Sequence, residues 1–354
     1  MGPAMRQLVP KAIGLAIAAC VAWVAAAAPS AQRPGSVEVF EVRSRALETN
    51  LVGDAPVRRV SVYLPPGYQT DPNRRYPVVY LLHGFTDSDA KWFGRAGTHW
   101  INLPAVLDAA HAAGGGAFHA IVVMPDGSNA FEGSFYSSSV TIGDWETFVA
   151  DELVRAVDAR YRTLAARESR GLAGHSMGGY GTMRLAMKRP DAFSSVYALS
   201  ACCLTPMSGG ASGKPSPAEA ITALDQIAAA PFGVKAALAT SAAWSANPNK
   251  PPLYLDLPTE GGKPRPEVVA RFAANAPVAL VPQYVFNLRR LQAIAFDMGT
   301  RDSLLGGSAA LDRVMTEHGI PHTYETYEGD HLSGVAERIV TKVMPFFATH
   351  LAAR

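Results

Sequence analysis

The sequence predicts an α/β layered fold: a mostly parallel central sheet flanked by helices, with a cap-like insertion before the last two strands. Three observations carry this prediction. Residues 78–82 (Val-Val-Tyr-Leu-Leu) and 120–124 (Ala-Ile-Val-Val-Met) are continuous apolar runs, as in strands covered on both faces. Strand-like runs alternate with helical patterns along most of the chain. Gly and Pro punctuate the boundaries, as at Pro65-Pro66-Gly67.

The elements follow in order. Residues 37–43 and 57–64 alternate apolar with polar, the signature of half-exposed strands. Residues 102–113 read as a helix between the two buried strands. Asp144 is a cap for a helix whose apolar face is Trp145, Phe148, Val149, Leu153, Val157 and Tyr161. A short strand at 170–174 leads into a helix at 177–188, closed by Pro190, and residues 196–199 form the next strand. The last two strands are expected at 291–296 and 323–327, with a final helix at about 335–351. Residues 201–290 break the rhythm with Gly/Ser/Pro-rich pieces and helical fragments. That stretch is too long for a plain loop and is expected to cap the sheet.

The 354 residues are 48% hydrophobic and 18% charged, enough to bury a large core, which excludes disordered and disulfide-stapled classes. Residues 1–35 are expected to be a signal peptide and linker, leaving 36–354 as the folded domain. Arg6 and Lys11 precede an apolar run at 12–28, and small residues follow, as in a cleavable export leader. The mature protein is therefore expected to be secreted or periplasmic. An alternative is lipidation at Cys20 of Ile17-Ala18-Ala19-Cys20. Cleavage removes two of the 32 basic residues and leaves 30 against 30 acidic ones. That balance gives no electrostatic footprint for nucleic acid, and no polybasic run addresses a membrane. Of the three cysteines, Cys202 and Cys203 are neighbours, readable either as a vicinal disulfide or as small buried thiols.

Gly174-His175-Ser176-Met177-Gly178-Gly179 is a GxSxG motif between a strand and a helix, the context of a strained turn that raises a nucleophilic serine. Ser176 is the expected nucleophile. Its tetrahedral intermediate needs two backbone donors. Met177 supplies one amide, and Phe85 in Leu82-His83-Gly84-Phe85 supplies the other. His83 reads as support for that loop. The base is expected at His331, after the last strand, and the acid at Asp302, after the Gly299 turn, ahead of Asp297 and Asp330. His175 adjoins the serine, but its side chain should turn away from the hydroxyl. The set implies nucleophilic attack on a carbonyl through an acyl-enzyme, with no metal or cofactor required.

The motifs Tyr80-Leu81-Leu82-His83-Gly84-Phe85, Gly174-His175-Ser176-Met177-Gly178-Gly179, Asp297-Met298-Gly299-Thr300-Arg301-Asp302 and Gly329-Asp330-His331 resemble the esterase D-like branch of the α/β-hydrolases. That branch includes S-formylglutathione hydrolases, feruloyl esterases and enterochelin-type esterases. The resemblance runs from about Val37 to the C-terminal helix. It implies hydrolysis of a small-molecule or polymer-linked carboxylic ester with Ser176, Asp302 and His331 as triad. Gly133-Ser134-Phe135-Tyr136-Ser137 with Trp145-Glu146-Thr147-Phe148 is similar to a segment of the secreted mycolyltransferases, which implies that Phe135 and Tyr136 line the pocket. Trp92 reads equally as a pocket wall or as core packing, and Phe135 and Tyr136 read equally as core aromatics under a loop. The alternatives are an acyltransferase using the same acyl-enzyme and an exported binding protein without chemistry.

Overall fold

In the computed structural model, eight strands form one mixed sheet. They are β1 (Ser36–Arg43), β2 (Val57–Leu64), β3 (Val78–Leu82), β4 (Ile121–Pro125), β5 (Arg170–His175), β6 (Ser195–Leu199), β7 (Ala293–Gly299) and β8 (Thr323–Tyr327). Their spatial order is β1-β2-β4-β3-β5-β6-β7-β8, antiparallel at the first two pairings and parallel thereafter. The structure describes residues 1–2, 34–112, 118–206 and 213–353. The apolar run of the expected leader, the expected cleavage region and Cys20 lie outside them. The chain divides after Gln32, and the whole sheet belongs to the second unit, Arg33–Arg354.

The period of two along each strand divides the core. Val78, Tyr80 and Leu82 face one layer, with Trp145, Phe148, Tyr180 and Leu311. Val79 and Leu81 face the other, with Leu103, Leu107, Val335 and Phe347. The helices α1 (Leu103–Ala112) and the C-terminal stretch 335–350 therefore cover one face. The helices at 145–160, α2 (Met177–Lys188) and α3 (Leu305–Glu317) cover the opposite one. Asp144 caps the first of these, its Oδ1 accepting the Thr147 N–H at 3.0 Å. At full burial, each large side chain in these layers contributes about 1.5–3 kcal/mol.

Strand β7 begins two residues later than the apolar pattern predicts and continues three further, through Asp297. Leu291 still belongs to the preceding turn, its N–H donating to the Leu288 carbonyl. A buried carboxylate can remain in a strand when it is paired. Asp297 Oδ2 accepts from Tyr197 at 2.8 Å and from Arg338 Nε at 2.7 Å.

Within 201–290 lie α4 (Phe232–Trp244), a helix at Pro266–Ala273 and another at Pro277–Leu288. Their buried residues Leu238, Ala242, Trp244, Phe272 and Val281 join the same apolar layer as Tyr180 and Leu82. Among the described residues no helix is long and apolar enough to cross a membrane.

Candidate active site

Ser176 stands between β5 and α2, with φ 56° and ψ −114°. A non-glycine residue with positive φ there costs about 1–3 kcal/mol, held by the packing around it. Two glycines make the turn possible. A Cβ on Gly174 would sit 2.2 Å from the Gly178 carbonyl oxygen, and one on Gly178 would sit 2.0 Å from the Leu82 carbonyl oxygen. The helix thus starts pressed against the end of β3, which brings Ser176 beside the loop that follows that strand.

Ser176 Oγ lies 2.8 Å from His331 Nε2, and His331 Nδ1 lies 2.7 Å from Asp302 Oδ2. The Asp302 side chain is fully buried. Its Oδ1 accepts the Leu304 N–H at 2.9 Å. The loops bearing Asp302 and His331 are tied together, with Thr300 N donating to the Tyr327 carbonyl and Arg301 N to the Gly329 carbonyl, both at 2.8 Å. Asp297 is turned into the sheet against Tyr197 and Arg338. Burial raises its carboxyl above the ordinary range, while Arg338 opposes that rise. Asp330 points to solvent and caps its own turn at Leu332 and Ser333. Backbone donors, Ser333 first, lower it to about 2.

Among the described residues, the N–H groups of Phe85 and Met177 donate to no protein acceptor. Met177 opens a twelve-residue helix, so the helix dipole adds to its amide. His83 is fully buried under the Phe85 loop. Its Nε2 accepts the Gly127 N–H at 2.8 Å, so Nδ1 carries the proton and faces the Gly84 carbonyl at 2.9 Å. Beyond Phe85, Thr86 N donates to the Glu132 carbonyl, and Lys91 Nζ donates to the Thr86 carbonyl.

Trp92, Phe135 and Tyr136 are buried, as their reading as core aromatics has it. Trp92 and Tyr136 have no exposed surface, and Phe135 is 2% exposed. The Trp92 indole donates to Asp87 Oδ2 at 3.0 Å, and the Tyr136 hydroxyl to the His83 carbonyl at 3.2 Å. A buried aromatic with a polar tip needs such an acceptor, and each found it in the backing layer. Phe135 packs behind Phe85, ring centroids 5.7 Å apart. The open aromatic surface is different: Phe232, first residue of α4, is exposed and edge-on to Phe85 at 5.5 Å. No periodicity links those two residues, which are far apart in the chain. Cys202 and Cys203 are free thiols with sulfurs 2.8 Å apart, and Cys202 N donates to the Ser176 carbonyl. His175 does turn away from the hydroxyl, and its Nε2 lies 2.9 Å from the His331 carbonyl oxygen.

A doubly covered, mostly parallel sheet, a strained serine at a strand-to-helix turn and a His–Asp pair after the last two strands define the α/β-hydrolase fold class. A family model described as "Putative esterase" matches residues 56–334, and the chain belongs to that esterase family. It is similar to Esterase Rv1288 of Mycobacterium tuberculosis, 35% identical over 153 residues covering 42% of this chain and 29% of that protein. It is also similar to an endo-1,4-beta-xylanase/feruloyl esterase of Xylanibacter ruminicola, 35% identical over 144 residues covering 39% and 18%. The chain thus matches less than a third of the length of these curated relatives. Among solved structures, a ferulic acid esterase superposes with TM-score 0.64 at 21% identity, over 90% of this chain and 99% of that one. An S-formylglutathione hydrolase from Agrobacterium tumefaciens gives 0.56 at 19% identity, over 90% and 96%. These structural likenesses concern the fold.

Proposed function

We propose that the protein is an exported serine carboxylesterase. The observation that supports this reading best is the unbroken hydrogen-bond chain Asp302–His331–Ser176, at 2.7 and 2.8 Å, beside two backbone amides without acceptors among the described residues. Ser176 Oγ attacks the ester carbonyl carbon as His331 Nε2 takes its proton. Asp302 holds the imidazole in the tautomer with Nε2 free and stabilises the imidazolium. The carbonyl oxygen, now an oxyanion, accepts from Phe85 and Met177. One such donor typically contributes about 3–4 kcal/mol to the transition state. Collapse expels the alcohol, which takes the proton from His331 and leaves an acyl-Ser176 ester. Water, deprotonated by His331, then releases the carboxylic acid.

Residues 201–290 act in this reading as a cap within the one domain, because their apolar side chains share its core. Export rests on the leader pattern around Arg6 and Lys11. The sequence of the mature N-terminus recovered from a culture medium or periplasm tests it, and a protein retained inside with Met1 intact refutes it.

The activity is tested on a 4-nitrophenyl ester series from acetate to laurate, plus a feruloyl ester, with Ser176→Ala alongside. Turnover by the wild type and none by the variant is the expected result. A wild-type protein inert on every ester would overturn the reading.

A further inference from the structure

Past the Arg301–Gly329 bond, the backbone of the loop that carries His331 is thinly anchored. Asp330 receives the N–H groups of Leu332 and Ser333, and Ser333 Oγ receives that of Asp330, so these bonds lie within the loop. Leu332 and Gly334 accept from Val335 and Arg338 of the helix that follows. Leu332 is exposed, and Gly334 has a positive φ of 81°. Among the described residues, the backbone of 330–334 receives one hydrogen bond from outside this loop and helix. It runs from His175 Nε2 to the carbonyl oxygen of His331, 2.9 Å across 156 residues of sequence.

The donor is held firmly. His175 is 2% exposed and ends β5, in parallel register with Leu199. Its ring packs against Trp100 at 5.3 Å, His331 at 5.0 Å and Trp92 at 5.9 Å. Asp87 fixes Trp92 through the indole N–H, and Asp87 N donates back to the Gly84 carbonyl beside the Phe85 amide. A carbonyl oxygen only accepts, so the proton sits on His175 Nε2. Nδ1 is then the bare nitrogen of a neutral imidazole, buried without a hydrogen-bond partner among the described residues. The tautomer is therefore set by the bond to His331.

We propose that His175 is a positioning residue, whose Nε2–H holds the His331 carbonyl and so sets where the base meets the Ser176 hydroxyl. This inference rests on the esterase reading above. It makes the residue preceding the nucleophile the tether of the base, so the end of β5 and the turn after it fix both reacting groups from two consecutive positions. It acts through His331, and its hydrogen bond goes to the backbone carbonyl rather than to a reacting atom. A tether of this kind governs the chemical step rather than substrate affinity, because misplacement of a reacting group by about 1 Å costs on the order of 10²-fold in rate.

The test compares the full-length wild type with His175→Leu and His175→Gln on 4-nitrophenyl acetate. Gln retains an N–H donor at similar reach, whereas Leu retains only bulk. The rate at which a fluorophosphonate labels Ser176 and the melting temperature are followed in parallel. The expected result is a kcat about 10²-fold lower for His175→Leu, with KM within threefold and labelling slowed alongside. His175→Gln is expected to recover to within about fivefold of wild type. Equal kcat for the two variants, or a loss expressed in KM, overturns the proposal. If His175→Leu does not fold, His175→Gln decides: near-wild-type kcat supports the tether, and a 10²-fold loss with a normal melt overturns it. A wild type that neither hydrolyses esters nor takes the fluorophosphonate fails at the esterase reading itself and overturns both.

Discussion

Oδ2 of Asp302 lies 2.7 Å from Nδ1 of His331, while Asp297, five residues earlier on the same segment, is bonded to Arg338 inside the sheet. Two carboxylates close in sequence thus occupy opposite ends of one strand-to-loop path. Asp302 faces the cleft because the chain reverses at Gly299, where a Cβ would meet the Gly329 carbonyl oxygen at 2.4 Å.

The two aspartates are expected to fail differently. Asp302→Asn offers His331 an amide whose N–H favours the wrong tautomer, so kcat falls about 10³–10⁴-fold with the melt nearly unchanged. Asp297→Asn leaves the buried Arg338 with Glu325 as its remaining carboxylate, at 3.0 Å. It is expected to cost about 2–4 kcal/mol of stability, with kcat per folded molecule within about threefold of wild type. Urea denaturation and steady-state kinetics on both variants separate the effects. An inactive but stable Asp297→Asn would exchange the two assignments.

Gly178→Ala is expected to lose at least about 3 kcal/mol, because its Cβ would meet backbone, the Leu82 carbonyl oxygen, which has no rotamer to give. Gly306→Ala is the control. It lies near the start of α3 with nothing within 4 Å of the added methyl. That change is expected to be neutral or to stabilise by up to about 1 kcal/mol. Thermal melts that rank the two variants the other way would contradict these roles for the two glycines.

The residues that meet at Ser176 are readable because each sits at a strand end, and strand ends are marked by local pattern. The glycines around Ser176 and the turn at Gly299 are short-range demands of backbone sterics, so they show in the sequence. The depth of Trp92 and Tyr136 does not show. An aromatic side chain signals burial or a binding wall equally well, and here the choice turns on acceptors supplied by Asp87 and by the His83 carbonyl. The extent of β7 escapes the apolar pattern because Asp297 looks like a strand terminator until Arg338 arrives from the C-terminal helical stretch to pair it. The contacts of His175 with His331 and of Phe232 with Phe85 are tertiary and carry no periodic signal.

Burial, with His331 next, lowers the His175 imidazole to about 4. The folded form therefore resists a proton that the unfolded chain accepts near 6.5. The resulting stability is complete above about pH 6.5 and is lost as the pH falls through 4, amounting to about 3 kcal/mol at most. His111 is lowered to about 4 as well, by burial and then by His119, and acts in the same direction. Denaturant unfolding at pH 7, 5.5 and 4.5 is expected to show falling stability, with a shallower fall in His175→Gln. Parallel pH dependence of wild type and variant would show that His175 contributes nothing to the fall.

Phe232 is expected to set acyl preference. The side chain is 65% exposed at the start of α4, one of the largest apolar exposures in the described chain. It meets Phe85 edge-on at 5.5 Å, and Phe85 carries one of the two free amides. Its helix is held toward that loop by Lys235, whose Nζ lies 3.4 Å from Glu132 Oε1. A short acyl group ends before it reaches such a wall, whereas a long or aromatic one covers it and removes apolar surface from water. One fully covered aromatic is worth about 1.5–3 kcal/mol, or roughly 10- to 100-fold in kcat/KM. Phe232→Ala is therefore expected to leave 4-nitrophenyl acetate within about twofold of wild type and to depress octanoate and feruloyl esters by at least about tenfold. An equal loss across the whole series would mean that Phe232 supports the Phe85 loop rather than the substrate.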